Sequence, residues 1–159
     1  MNAAYIKPFI QGIRSVFGTM VNLEVAIGTP TIKSEPLSTY DVSGVIGISG
    51  EVVGSIVLSF PAETAQQIVA RFSGEECDVT SPDFADAVGE LVNMVSGAGK
   101  ADLPHKGASI SCPSVVVGKN HRIATGHETP CVVVPCKTEC GQFVIEIALK
   151  EATVGAAAA

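Results

Sequence analysis

The stretch VSGVIGISGEVVGSIVLSFP (42–61) decides the architecture. Two runs rich in Val and Ile flank Gly50-Glu51, a dipeptide suited to a tight turn, so the segment reads as a β-hairpin. Side chains alternate across a strand. Ile46 and Ile48 therefore share one face, and Ile56, Leu58 and Phe60 form another row. Gly44, Gly47 and Gly54 lie within these strands and point to an element that packs closely on them. Pro61 stops the second strand, because it has no N–H to give to a ladder.

Upstream of the hairpin, Ile6, Phe9, Ile10, Ile13, Val16, Phe17 and Met20 recur at helical spacing. Pro8 suits a first helical turn, and Gly12 and Gly18 weaken the helix slightly. VNLEVAIG (21–28) is expected to be a strand, broken by Pro30. Downstream, AETAQQIVARF (62–72) is a short helix with Ala65, Ile68, Val69 and Phe72 inward and Gly74 as its C-terminal cap. GEECDVTS (74–81) is polar and reads as a loop. Ser81-Pro82 supplies an N-cap and a proline at the first helical position, and Asp83 and Asp86 complement the helix dipole. This helix is expected to run to about Leu103, before Pro104. ASISC, SVVVG, CVVVP and QFVIEIALK are strand-like, the last two forming a hairpin across CKTECG. Hairpins outnumber crossover units, so an α+β fold is expected: an antiparallel (mixed) β-sheet with long helices packed on it. The order hints at a helix-then-strands unit used twice, although the halves share little sequence. One domain over residues 1–154 is expected, with 155–159 as a disordered C-terminal tail.

With 47% hydrophobic and 16% charged residues, the chain can bury a sizeable core. Its net charge of −6 disfavours nucleic acid, whose phosphates attract basic surfaces. No apolar run is long enough to span a membrane. MNAAYIKPFI lacks the basic start and apolar core of a signal peptide, so a cytoplasmic location is expected. The five cysteines are odd in number and contain no C-x-x-C, which argues against a disulfide framework. Cys131, Cys136 and Cys140 have the wrong spacing for a zinc knuckle, and no histidine pair follows, so no metal site is expected and these thiols read as buried or idle. His105, His121 and His127 share no helix face, which leaves no Ser-His-Asp or Cys-His arrangement to argue for.

The helix beginning at Pro82 carries the candidate chemistry. On a helical wheel, Val88, Leu91 and Val95 fall within about 40 degrees of Phe84 and form a core stripe. Asp86, Glu90, Asn93, Gly97 and Lys100 gather on the opposite side. Glu90 and Asn93 are neighbours there, and Gly97 lies one turn beyond. Polar residues on the outer face of an amphipathic helix are ordinary, and Lys100 alone suits a solvated helix end. A mid-helix Asn followed by an exposed Gly is less usual, since that Gly costs about 1 kcal/mol against Ala. Room for another protein to approach would offset that loss.

ELVNMVSGAGK (90–100) resembles the E-x-x-N signature of the CheC/CheX/FliY family of chemotaxis phosphatases. PFIQGIRSVFGTM, the hairpin, AVGELVNMVSGAGK and SCPSVVVGKNHRI are similar to the CheX branch, from residue 5 to residue 149. The resemblance implies a CheC-like fold and hydrolysis of the aspartyl phosphate of the response regulator CheY. It assigns Glu90 and Asn93 as the catalytic positions; Asp86, Gly97 and Lys100, on the same face, are candidates for bordering the partner, with solvated positions as the plainer reading of Asp86 and Lys100. Glu63-Thr-Ala-Gln66, the nearest second candidate, fails at the amide position, where Gln66 stands in place of Asn, and a single motif fits the CheX branch, whose members form homodimers. Asn93 would orient the attacking water. Glu90, too negative to sit beside a phosphoryl group, would dock against a lysine of the receiver domain. The chain would need no cofactor of its own, because Mg²⁺ is expected on the receiver, and no small-molecule substrate is expected. The alternative is a non-catalytic CheC-like scaffold binding a receiver domain, CheD or flagellar switch proteins.

Overall fold

A computed structural model describes residues 2–35, 40–105, 107–124 and 129–153, and the hairpin lies near its centre. Strand β3 (Val42–Gly50) and strand β4 (Val52–Phe60) pair antiparallel from Val42↔Phe60 to Ile48↔Gly54. Ile46 faces Ile56 across the ladder, so the two expected rows meet on one side of the sheet. Only Glu51 separates the strands, and Gly50 takes φ 104°, a value open to glycine but strained for other residues. A second hairpin lies alongside: β7 (Val132–Thr138) and β8 (Gly141–Glu151), with β8 paired to β4. Its turn is Glu139-Cys140 alone, because β7 continues through Cys136 and Lys137. Two short strands, β1 (Ala26–Ile27) and β2 (Thr31–Ile32), border β7. Two others, β5 (Ala108–Ile110) and β6 (Ser114–Val117), border β3. Among the described residues every pairing is antiparallel, and the sheet has eight strands. The repeated-unit hint becomes spatial here: two hairpins meet through β4 and β8, each bordered on its outer side by two short strands.

Three helices contribute to a core with one side of the sheet. Helix α1 (Ala3–Val16) starts earlier than periodicity suggests, because the Asn2 side chain caps it by accepting from the Ala4 N–H at 3.0 Å. Pro8 therefore sits in the second turn, where it leaves the Ala4 carbonyl without its usual helical donor. A π-helical turn (Phe17–Val21) extends α1 and closes at Asn22 with φ 56°. The expected strand at 21–28 shrinks accordingly to β1. Val21, Leu23 and Val25 do alternate into the core, yet only the end of the segment, Ala26 to Gly28, lies beside β7. Alternation reports burial; a strand also needs a partner within hydrogen-bond reach. Helix α2 (Ala62–Ser73) buries Ala65, Ile68 and Val69 and ends at Gly74 with φ 79°, as expected of a left-handed cap.

Helix α3 (Pro82–Ala101) lies beside α1 and over β3. Beneath the helices, Phe17 stacks on Phe143 with centroids 5.0 Å apart, and Phe60 stacks on Phe143 at 5.1 Å. The other side of the sheet buries Val57, Val144 and Ala148 together with polar residues. There Lys33 Nζ donates to both carboxylate oxygens of the buried Glu146, at 2.9 and 2.8 Å. Residues 154–159, including the expected tail, lie outside the described residues.

Candidate functional site on helix α3

The start of α3 follows its sequence: Ser81 Oγ accepts from the Asp83 N–H at 3.2 Å, with Pro82 in the first turn. Phe84, Val88, Leu91 and Val95 are buried, as the wheel requires. Two glycines bring the helix close to its supports. A Cβ on Gly44 of β3 would lie 3.0 Å from Val92 Cγ1 and 3.3 Å from Val88 Cγ1, so the hairpin glycine makes room for α3. A Cβ on Gly12 of α1 would lie 3.0 Å from the Val95 carbonyl oxygen, and a Cβ on Gly99 would run into the Phe9 ring. Helix α3 is thus pressed against the sheet below and α1 beside it.

The outward face carries the five expected residues together. Asp86 and Glu90 are exposed, and Asn93, Gly97 and Lys100 are half-buried. The side chains of Asp86, Glu90, Asn93 and Lys100 make no hydrogen bond or ion pair among the described residues. A Cβ on Gly97 would meet nothing within 4 Å, so this chain's own packing does not require a glycine there. The stretch VGELVNMVSGAGK therefore contains two unlike glycines: Gly99 fits the neighbouring helix, and Gly97 leaves the outer face open.

Beside this face runs a groove of about 460 Å³, lined by Ala85, Asp86, Gly89, Glu90, Pro113 and Val115. The α3 sequence contains no signal for Pro113 or Val115; they arrive because β6 joins β3 at Val115↔Gly44. A larger groove of about 1050 Å³ lies elsewhere, between Arg14 and Gly18 on one wall and Lys137 to Glu139 on another, and it touches neither Glu90 nor Asn93.

The other chemistry-bearing residues have structural partners. His121 Nε2 lies 2.7 Å from Ser43 Oγ, and its Nδ1 lies 2.7 Å from the Gly118 carbonyl. With the proton on Nδ1, the ring donates to the carbonyl and accepts from the buried hydroxyl. His105 Nε2 lies 3.2 Å from the Tyr5 hydroxyl and 3.5 Å from Glu151. His127 lies outside the described residues. Among the described residues no group of three or more His, Cys, Asp or Glu is placed to hold a metal.

Cys131, Cys136 and Cys140 are buried free thiols. Burial pushes Cys131 up to about 11 and Cys136 up to about 12, and it raises Cys140 as well. Thiolates are the reactive form, so these groups are inert near neutrality. Iodoacetamide at pH 8 should label exposed Cys112 while leaving Cys131 and Cys136 unmodified until the protein is denatured. Peptide mass mapping checks this.

Comparison with known proteins agrees with the fold. The family model for the chemotaxis phosphatase CheX matches residues 42–137, more than half of the chain. The CheY-P phosphatase CheX of Thermotoga maritima is 31% identical over 126 residues, which cover 77% of this chain and 81% of that protein. A CheC-like superfamily protein from Shewanella sp. PV-4 superposes with a TM-score of 0.84 at 35% identity, covering 94% of this chain and 99% of that one. A chain of the CheX–CheY–BeF3–Mg²⁺ complex from Borrelia burgdorferi superposes with a TM-score of 0.78 at 28% identity, covering 92% and 98%. The matched region includes both hairpin strands and the whole of the helix that bears Glu90 and Asn93, and the chain belongs to the CheX chemotaxis phosphatases of the CheC/CheX/FliY family.

Proposed function

We propose that this chain hydrolyses the aspartyl phosphate of a CheY-type response regulator, with Asn93 positioning the water and Glu90 docking the receiver. One observation carries the reading: a carboxylate and an amide lie one turn apart on a firmly held helix, turned outward and unused among the described residues. The likeness to the Thermotoga and Borrelia proteins supports the choice of partner.

In the reaction, the water oxygen forms a bond to phosphorus as the bond from phosphorus to the aspartate oxygen breaks. The aspartate carboxylate leaves with the electron pair, and the water's surplus proton passes to phosphate or solvent. The transition state is loose, so placement and charge stabilisation dominate. The Asn93 carbonyl oxygen accepts from the water O–H and aims its lone pair at phosphorus. Its amide N–H donates to a phosphoryl oxygen without adding charge. A carboxylate in that place would repel those oxygens. Glu90 therefore works at a distance from phosphorus, against a lysine of the receiver. The receiver supplies Mg²⁺ and a lysine that offset the phosphoryl charge.

On this reading the protein acts in the cytoplasm as a homodimer with one site per chain. The test is phosphate release from receiver domains charged with acetyl phosphate. Release catalysed by this chain supports the reading, and autodephosphorylation at an unchanged rate with every receiver of the cell refutes it. Glu90→Ala is expected to raise Kd for the charged receiver about tenfold, or about 1.4 kcal/mol. The effect should shrink as salt screens the contact. Isothermal titration at two ionic strengths measures it.

A further inference from the structure

After α3 the chain forms β5 and then β6, running back beside the helix. Pro113 and Val115 thereby come level with Gly89: a Cβ there would lie 3.4 Å from Pro113 Cγ and 3.5 Å from Val115 Cγ2. Val115 pairs with Gly44 and Val117 with Val42, which puts both side chains on the helix-bearing side of the sheet. Pro113 is exposed, Val115 is half-buried, and Val117 is 43% exposed. Among the described residues, strand β6 pairs only with β3. An apolar strip, Pro113-Val115-Val117, thus runs beside the acidic line of Asp86 and Glu90, with the 460 Å³ groove where they meet.

The geometry points to this strip as a docking shelf for the receiver domain, which would lay an apolar ridge on Pro113, Val115 and Val117 and set basic side chains against Asp86 and Glu90. The inference rests on the proposed phosphatase reading. Two features select a receiver over a second copy of the chain. Glu90 itself walls the groove, so whatever fills it touches the motif. Asp86 and Glu90 are exposed and unpaired among the described residues, and a symmetric dimer through this surface would bring like charges together. Hydrophobic anchoring beside a charged contact gives the receiver a fixed approach, which a water-positioning amide needs.

Val117 is exposed enough to change without emptying the core. The test uses the full chain and a receiver held in its phosphorylated form by beryllofluoride and Mg²⁺. Val117→Ser is expected to raise Kd about tenfold, and KM with it, at unchanged kcat and an unchanged melting temperature. Val117→Leu should bind within about twofold of the parent. Parental turnover accompanied by undiminished binding of Val117→Ser would overturn the shelf alone. Failure of the parent to release phosphate, with binding still sensitive to Val117→Ser, would overturn the catalytic reading and leave the shelf standing. If Val117→Ser instead changed the sedimentation of the protein without receiver, the strip would belong to self-association and the inference would fail.

Discussion

Replacing Asn93 by Ala should lower phosphate release at least about 100-fold while leaving affinity for the charged receiver within about twofold. That loss corresponds to about 2.7 kcal/mol of transition-state stabilisation. The size follows from what the amide is asked to do. It supplies no proton and forms no covalent bond; it holds a water in line, and a misplacement of about 1 Å costs on the order of 100-fold. Retained affinity is the more diagnostic half. Asn93 is half-buried on a helix whose other face is anchored in the core, so its truncation leaves the surrounding surface in place. Asn93→Asp is the informative companion, since it keeps the shape and adds negative charge beside phosphate. It should be as inactive as the Ala variant and should also bind more weakly. Stopped-flow phosphate release together with titration calorimetry separates the two effects. Equal losses of kcat and affinity for Asn93→Ala would move the residue from chemistry to docking.

Gly99→Ala should destabilise the fold by about 2–3 kcal/mol, a drop of roughly 5–10 °C in melting temperature. In helix propensity alone, the change would gain about 1 kcal/mol. Packing reverses the sign, because the added methyl would occupy the same space as the ring of Phe9. That ring is fully buried, so it has nowhere to move without separating α1 from α3. Gly97→Ala is the control two residues away. Its methyl meets nothing, so it should stabilise the isolated chain by about 0.5–1 kcal/mol. Differential scanning calorimetry of the two variants should therefore show shifts of opposite sign. If both melt alike, the contact between α1 and α3 is looser than described.

These two glycines also mark where sequence reasoning reaches its limit. Periodicity places Gly97 on the outer face of α3, and the structure agrees. No pattern says that Gly99 touches Phe9, because that contact joins positions far apart in the chain. The hairpin at 42–61 is readable from local alternation and its turn, down to the rows that meet across the ladder. Gly44, flagged there as a close approach, does receive α3 through Val88 and Val92. The segment 21–28 alternates equally well and still fails to form a full strand, since β7 reaches only its last residues. The site divides in the same way. The five residues on α3 are fixed by one helical period, whereas Pro113 and Val115 enter through the pairing of β6 with β3.

The junction of the two hairpins bears on how the molecule is assembled. Each hairpin forms from neighbouring residues and can zip early, but β4 must find β8 across the whole length of chain that holds α2, α3 and three strands. Closing so long a loop is entropically unfavourable and slows folding. During synthesis on the ribosome, β4 emerges well before β8. Until β8 arrives, one edge of β4 is unpaired and Ile56 and Leu58 lack their cross-strand neighbours Ile147 and Ile145, and the nascent chain is then most open to chaperones and to aggregation.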